Sequence, residues 1–230
     1  MLNSAFSGEK FEGLGTQKIK NLSSFEVDGF KDSRNLQEEI SGILRGNYAS
    51  LRVLELRARL SLGAILHPEA PLENLQHICL SSIKILDRNP LDALFTRATR
   101  LRSLILDISI GPNLAVSAVF IYHFKALPLL EYLTLSIDCG VNFDFGLYNA
   151  VARFISNRPK LTRLRLEDAG GEWPWQTIEV AGESLAGLEV LRVDTRRLMV
   201  ERIEDAIYAL PKTLQVVYLA ASEMESDLVR

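Results

Sequence analysis

The chain has 230 residues, of which 47% are hydrophobic and 24% charged, with a formal net charge of −3. That near balance excludes bulk attraction to nucleic acid or an anionic membrane, leaving only local basic patches for such roles. Met1 to Phe11 lacks the basic flank and apolar run of a secretory signal, and the most apolar stretch, 113–130, is broken by His123, Lys125 and Pro128. It falls short of the roughly 20 apolar residues of a membrane helix, so a soluble intracellular protein, cytoplasmic or nuclear, is expected.

A six-residue phrase, Leu-x-x-Leu-x-Leu or a conservative variant, starts at Leu22, Leu51, Leu75, Leu101, Leu130, Leu161, Leu188 and Leu214, at intervals of 24 to 31 residues. Such a period marks a solenoid of strand-plus-helix units, each packing on its neighbours. Positions four and six of a phrase share one face of a short strand, and positions three, five and seven share the other. The strands' leucines need cover, which the connecting segments supply.

Taken in order, the first connector has Asp32 or Ser33 as cap for a helix carrying Leu36, Ile40, Ile43 and Leu44. The second, Leu62 to Pro71, holds two prolines and no helical run, so a turn or a single 3₁₀ turn is predicted. Asn89-Pro90 reads as a cap and first-turn proline before Leu91, Leu94 and Phe95. Asn113 opens a helix with Val116, Val119, Phe120, Phe124 and Leu127, and Asp144 one with Leu147, Val151, Phe154 and Ile155. Gly170 to Trp175 is a turn-rich break before a weak helical stretch from Gln176 to Leu185, with Trp173 and Trp175 as an adhesive tip or a plug over that helix. A last helix holds Met199, Ile203, Ala206, Ile207 and Leu210, and Pro128, Pro159 and Pro211 are placed to stop three of these helices. Residues 1–230 read as one domain, with 1–19 an irregular lead-in and 221–230 a C-terminal tail. Cys79 and Cys139 fall in different repeats, too far apart for a disulfide.

The phrases resemble leucine-rich repeats of the intracellular, helix-containing kind found in ribonuclease-inhibitor-like horseshoes, over Lys20 to Ser222. The resemblance implies an α/β solenoid of about eight repeats, an irregular horseshoe or arc with parallel strands on the concave face and helices on the convex face. In style the uneven repeats are closest to divergent fungal F-box-associated regions. That implies substrate recognition for a ubiquitin ligase, reached only through an F-box that Met1 to Asn21 is too short to contain. The family's usual Asn or Cys three residues after position six is absent: Phe30, Arg59, Ile83, Ser109, Asp138, Ala169, Arg196 and Ser222 stand there. An uneven arc follows from that departure.

The uncovered face carries columns of residues in register, and any specificity lies there. Column three includes His77, Tyr132 and Arg163, and column five includes Ile105, Arg165, Arg192 and Tyr218, the candidate partner-binding residues. Arg163, Arg165 and Arg192 either hold a carboxylate or phosphate or are neutralised by Glu167 and Asp194 on the same strands. Tyr132, Ile105 and Tyr218 offer aromatic or apolar anchors, although the tail after Ala221 is an alternative cover for Tyr218.

Cys79, His77 and Glu55 are the best catalytic constellation available, but parallel side chains on a flat face make a poor nucleophile, base and orienter. His67, His77 and His123 have no metal-ligand spacing, and no nucleotide-binding glycine pattern occurs. Arg153 to Arg165 form a basic stretch without the aromatic interleaving of a single-strand binder. The expectation is a non-enzymatic module without cofactor, binding a protein partner rather than nucleic acid or membrane. The alternative is a receptor for a small anionic or phosphorylated ligand held by the arginine cluster.

Overall fold

The computed structural model describes residues 5–7, 20–28, 34–111, 114–138, 146–168, 173–197 and 207–223. Nine parallel strands cross one open sheet in sequence order: β1 (Ala5–Ser7), β2 (Ser24–Asp28), β3 (Val53–Arg57), β4 (His77–Ile85), β5 (Ser103–Ile110), β6 (Tyr132–Asp138), β7 (Arg163–Asp168), β8 (Val190–Arg197) and β9 (Val216–Glu223). From β2 onward each strand is one leucine phrase. Position three pairs with position three across all eight, from Ser24 opposite Val53 to Val190 opposite Val216. Two details were not expected: the lead-in supplies β1, and β9 runs into the segment read as a tail.

Between the strands lie α1 (Arg34–Arg45), α2 (Leu62–Ile65), α3 (Asn89–Arg97), α4 (Ser117–Tyr122), α5 (Leu147–Ser156) and α6 (Trp173–Ala181), the last followed by a 3₁₀ turn, Gly182–Ser184. The chain is an α/β leucine-rich-repeat solenoid with its leucines buried between the sheet and these helices. Positions one, four and six are buried in every phrase from Leu22, Phe25 and Val27 to Leu188, Leu191 and Val193. Full burial of each such side chain contributes roughly 1.5–3 kcal/mol.

Several connectors differ from the sequence reading. The second gap closes with one turn of α-helix, α2, whose Leu62 and Ile65 are buried. Asn89 is the first helical residue of α3 instead of its cap, and its N–H donates to Asp87 Oδ1 at 3.2 Å. The fourth helix ends at Tyr122, leaving Phe124 and Leu127 beyond it. The sixth starts at Trp173, so the two tryptophans form its first turn. Asp32, Ser33, Asn113, Cys139, Asp144, Gly170 and Met199 to Ala206 lie outside the described residues.

One turn explains the prolines. The N–H of each phrase-opening leucine from Leu51 to Leu214 donates to the carbonyl three residues earlier, as in Leu130 to Leu127 at 3.2 Å and Leu161 to Arg158 at 3.1 Å. Pro128 and Pro159 occupy the second position of that turn, where a fixed φ near −65° is favoured. They therefore aim the chain into the next strand. Pro128 lies well beyond the end of its helix.

The missing Asn ladder has substitutes at the opposite end of the strands. Leu22 N–H donates to Asn47 Oδ1 at 3.0 Å, Asn74 Nδ2 to the Ala49 carbonyl at 2.8 Å, and Thr213 Oγ1 to the Leu188 carbonyl at 2.9 Å. Backbone also contributes: each second-position carbonyl accepts two N–H groups of the next repeat, Ser23 from Arg52 and Val53, Glu131 from Thr162 and Arg163. On the helix side, Phe120 packs 5.7 Å from Phe95 and 5.4 Å from Phe154 between ring centroids, and Phe95 and Phe154 are 5.4 Å apart, so one buried aromatic cluster ties α3, α4 and α5 together.

Candidate functional site

Among the described residues no helix covers the other face of the sheet, and the register turns it into rows of neighbouring side chains. Column three reads Ser24, Val53, His77, Ser103, Tyr132, Arg163, Val190 and Val216, and column five reads Glu26, Glu55, Cys79, Ile105, Thr134, Arg165, Arg192 and Tyr218. All seven residues singled out from the sequence stand on this face. Their surroundings differ sharply.

At the β2–β4 end, Glu55 is shared. Its Oε2 accepts from Arg57 Nη2 at 2.9 Å, and its Oε1 lies 3.3 Å from His77 Nε2. Cys79 is buried and hydrogen-bonds Arg57 instead of His77; burial pushes its thiol up, which opposes thiolate formation. Glu26 and Asp28 also stand in the columns here, so acidic groups outnumber basic ones at this end.

At the β6–β8 end, two of the three arginines are tied up. Arg165 pairs with Glu167 and, at 3.1 Å, with Asp194 Oδ2; the same oxygen accepts from Arg192 Nε at 2.7 Å. Burial, with Asp194 alongside, holds the Glu167 carboxyl above its usual range against the pull of Arg165. Arg163 is different. It is exposed, stands between Tyr132 and Val190, and among the described residues its side chain makes no ion pair or hydrogen bond.

Tyr132 is half-buried, with Thr134 Oγ1 donating to its hydroxyl at 3.1 Å. Ile105 is half-buried between Cys79 and Thr134, while Tyr218 is 57% exposed on the last strand. The tryptophans do not make an adhesive tip: Trp173 and Trp175 are core side chains of α6. The basic stretch is also divided among separate places. Arg153 lies over the Phe124 ring, Arg158 is buried over Phe154, and Arg163 is on the sheet.

A feature not anticipated from the sequence interrupts column seven. A bulge at Ser81–Ser82 sets two residues against Asp107, whose Oδ2 accepts from Ser81 Oγ at 2.8 Å and Ser82 N–H at 3.1 Å. Ser82 takes a left-handed φ of 61°, uncommon for a residue with a side chain. Beyond the bulge β4 and β5 continue, and Arg59, Ser61, Lys84, Ser109 and Asp138 line an open cleft of about 450 Å³. The only sequence signal was the three-residue gap between Leu80 and Ile83, which breaks the alternation.

Among the described residues no three His, Cys, Asp or Glu side chains are grouped to hold a metal ion, and no helix is long and apolar enough to cross a membrane. No protein-family model matches the chain, and no curated protein matches it. Among solved structures, an internalin from Listeria monocytogenes is similar over 88% of this chain, at 16% identity and a TM-score of 0.42. The chain spans 56% of that internalin, little more than half its length. The leucine-rich-repeat architecture stands on the strand register and the buried leucine ladder.

Proposed function

We propose that the chain is a non-enzymatic interaction module that takes a segment of a protein partner on its open sheet face. The observation that carries this reading is the unbroken register of column three and column five over eight strands, which sets exposed and half-buried side chains of mixed chemistry in continuous rows. Such a surface suits an extended contact with a few anchors better than a reaction that must exclude water. Its acidic excess near β2–β4 and its unpaired Arg163 near β7 give a partner a preferred direction. The ion pairs of Arg165 and Arg192 weigh against the small-anion receptor, because a phosphate would have to displace Glu167 and Asp194.

The test compares two surfaces. An open-face variant, Ile105→Lys with Tyr132→Lys, is set against a helix-side control, Tyr122→Lys, both checked by thermal melting. A partner crosslinked by wild type and control but lost from the open-face variant is expected. Loss from both, or retention by both, would sink the reading. The finer assignment, substrate recognition within an F-box ubiquitin ligase, is supported by repeat style alone. Its check is whether a helical F-box pattern is encoded upstream of Met1.

A further inference from the structure

Three arginines stand on neighbouring strands, yet their electrostatic states are not alike. Asp194 takes hydrogen bonds from both Arg165 and Arg192, and Glu167 pairs with Arg165. Each of those cations already has its counter-charge, and an incoming anion would have to break an ion pair to reach it. Arg163 has none among the described residues.

Its neighbours are equally distinctive. The register places Arg163 between Tyr132 on β6 and Val190 on β8, with Val216 next on β9. Strands lie about 4.8 Å apart, so the four side chains form a row of roughly 14 Å whose only charge is one guanidinium and whose only other polar group is the Tyr132 hydroxyl. Tyr132 and Val190 are half-buried, and Val216 is 37% exposed. Arg163 is exposed in the free protein, so its pairing with a carboxylate strengthens only when apolar side chains of a bound segment cover the row and exclude water. Arg also presents a planar fork that a carboxylate can engage with two parallel hydrogen bonds.

We infer that Arg163 is the anchor for an Asp or Glu side chain of the bound segment, with Tyr132 and Val190 receiving apolar side chains beside it. This rests on the open-face reading above and narrows the partner to a peptide segment whose carboxylate is flanked by apolar residues. A single carboxylate matches the row better than a phosphate, whose second charge finds no second unpaired cation there.

The experiment is selection of a random peptide library on the intact chain, followed by fluorescence anisotropy of the selected peptides. Wild type is compared with Arg163→Gln, Tyr132→Lys and the helix-side control Arg45→Gln, with melting temperatures confirming that each is folded. The expected result is enrichment of Asp or Glu beside apolar residues, and affinity about tenfold weaker with Arg163→Gln but unchanged with Arg45→Gln, as loss of one charge-assisted hydrogen-bonded pair predicts. Replacing the peptide's acid by its amide should weaken binding to wild type by a similar factor and add little to the Arg163→Gln loss. Peptides that need Tyr132 but show neither an acid preference nor a dependence on Arg163 would overturn the anchor and leave the open-face reading standing. Peptides indifferent to both open-face substitutions, or no selectable peptides at all, would overturn the open-face reading and the anchor with it.

Discussion

Tyr48 and Arg158 show how single side chains hold adjoining repeats where no phrase residue does. Tyr48 is buried between α1 and β3, and its hydroxyl donates to the Ile65 carbonyl at the end of α2. Burial pushes the phenol up from 10.0 to about 12. Because the folded value is raised, the stabilisation is fully present below pH 10 and is lost as pH climbs toward 12, by at most roughly 2–3 kcal/mol. Tyr48→Phe should cost about 1–2 kcal/mol at neutral pH in urea denaturation and flatten the decline between pH 10 and 12; an unchanged decline would assign it to another group. Arg158 is only 3% exposed and among the described residues has no carboxylate partner. It lies 3.9 Å over the Phe154 ring and donates to the Phe124 carbonyl at 3.0 Å. Burial pushes its guanidinium down to about 10, so the charge persists at neutral pH. Neither role is legible in the sequence, because each depends on a carbonyl brought close only when successive repeats stack.

Helices α3, α4 and α5 differ in length, yet each contributes one ring to the mutual cluster of Phe95, Phe120 and Phe154. Phe120 touches both of the other rings and is 2% exposed, whereas Tyr122, two residues on, is 70% exposed. Phe120→Ala should therefore destabilise by about 3–5 kcal/mol, and Tyr122→Ala by less than about 0.5 kcal/mol. Equal shifts in the denaturation midpoint would show that the cluster does not act as a core. The apolar spacing of these helices was legible, since a helical period survives variation in length. Their ends were not. The chain leaves α4 at His123, a Pro at position 128 serves the next turn, and the apparent loop before α6 is helix from Trp173 because two indoles gain more from burial than from solvent. The bulge at Ser81–Ser82 was equally hidden: its left-handed residue is stabilised by Asp107 on the neighbouring strand.

Across the whole molecule, cover over the leucines is unequal. Phrase positions four and six are buried through Leu191 and Val193, but Val217 and Leu219 on β9 are 40% and 39% exposed. Among the described residues β9 has a strand neighbour on one side only, and a repeat so placed is less stable than one packed on both sides. Amide hydrogen exchange should be slowest in β5 to β7 and fastest in β9, with protection rising from the last strand inward. Uniform protection across the array would mean that β9 is covered in solution.

The sequence by itself determined the strand count from β2 to β9, the positions of the buried phrase leucines from Leu22 to Leu191 and the columns of the open face, because alternation and a repeating register leave one arrangement that buries those leucines together. It also offered seven residues of that face as candidate partner contacts. Only the tertiary structure separated Arg163 from Arg165 and Arg192, since ion pairing depends on which carboxylates the neighbouring strands bring within reach. A column of residue types fixes where a charge stands; the side chains around it decide whether that charge is already spent.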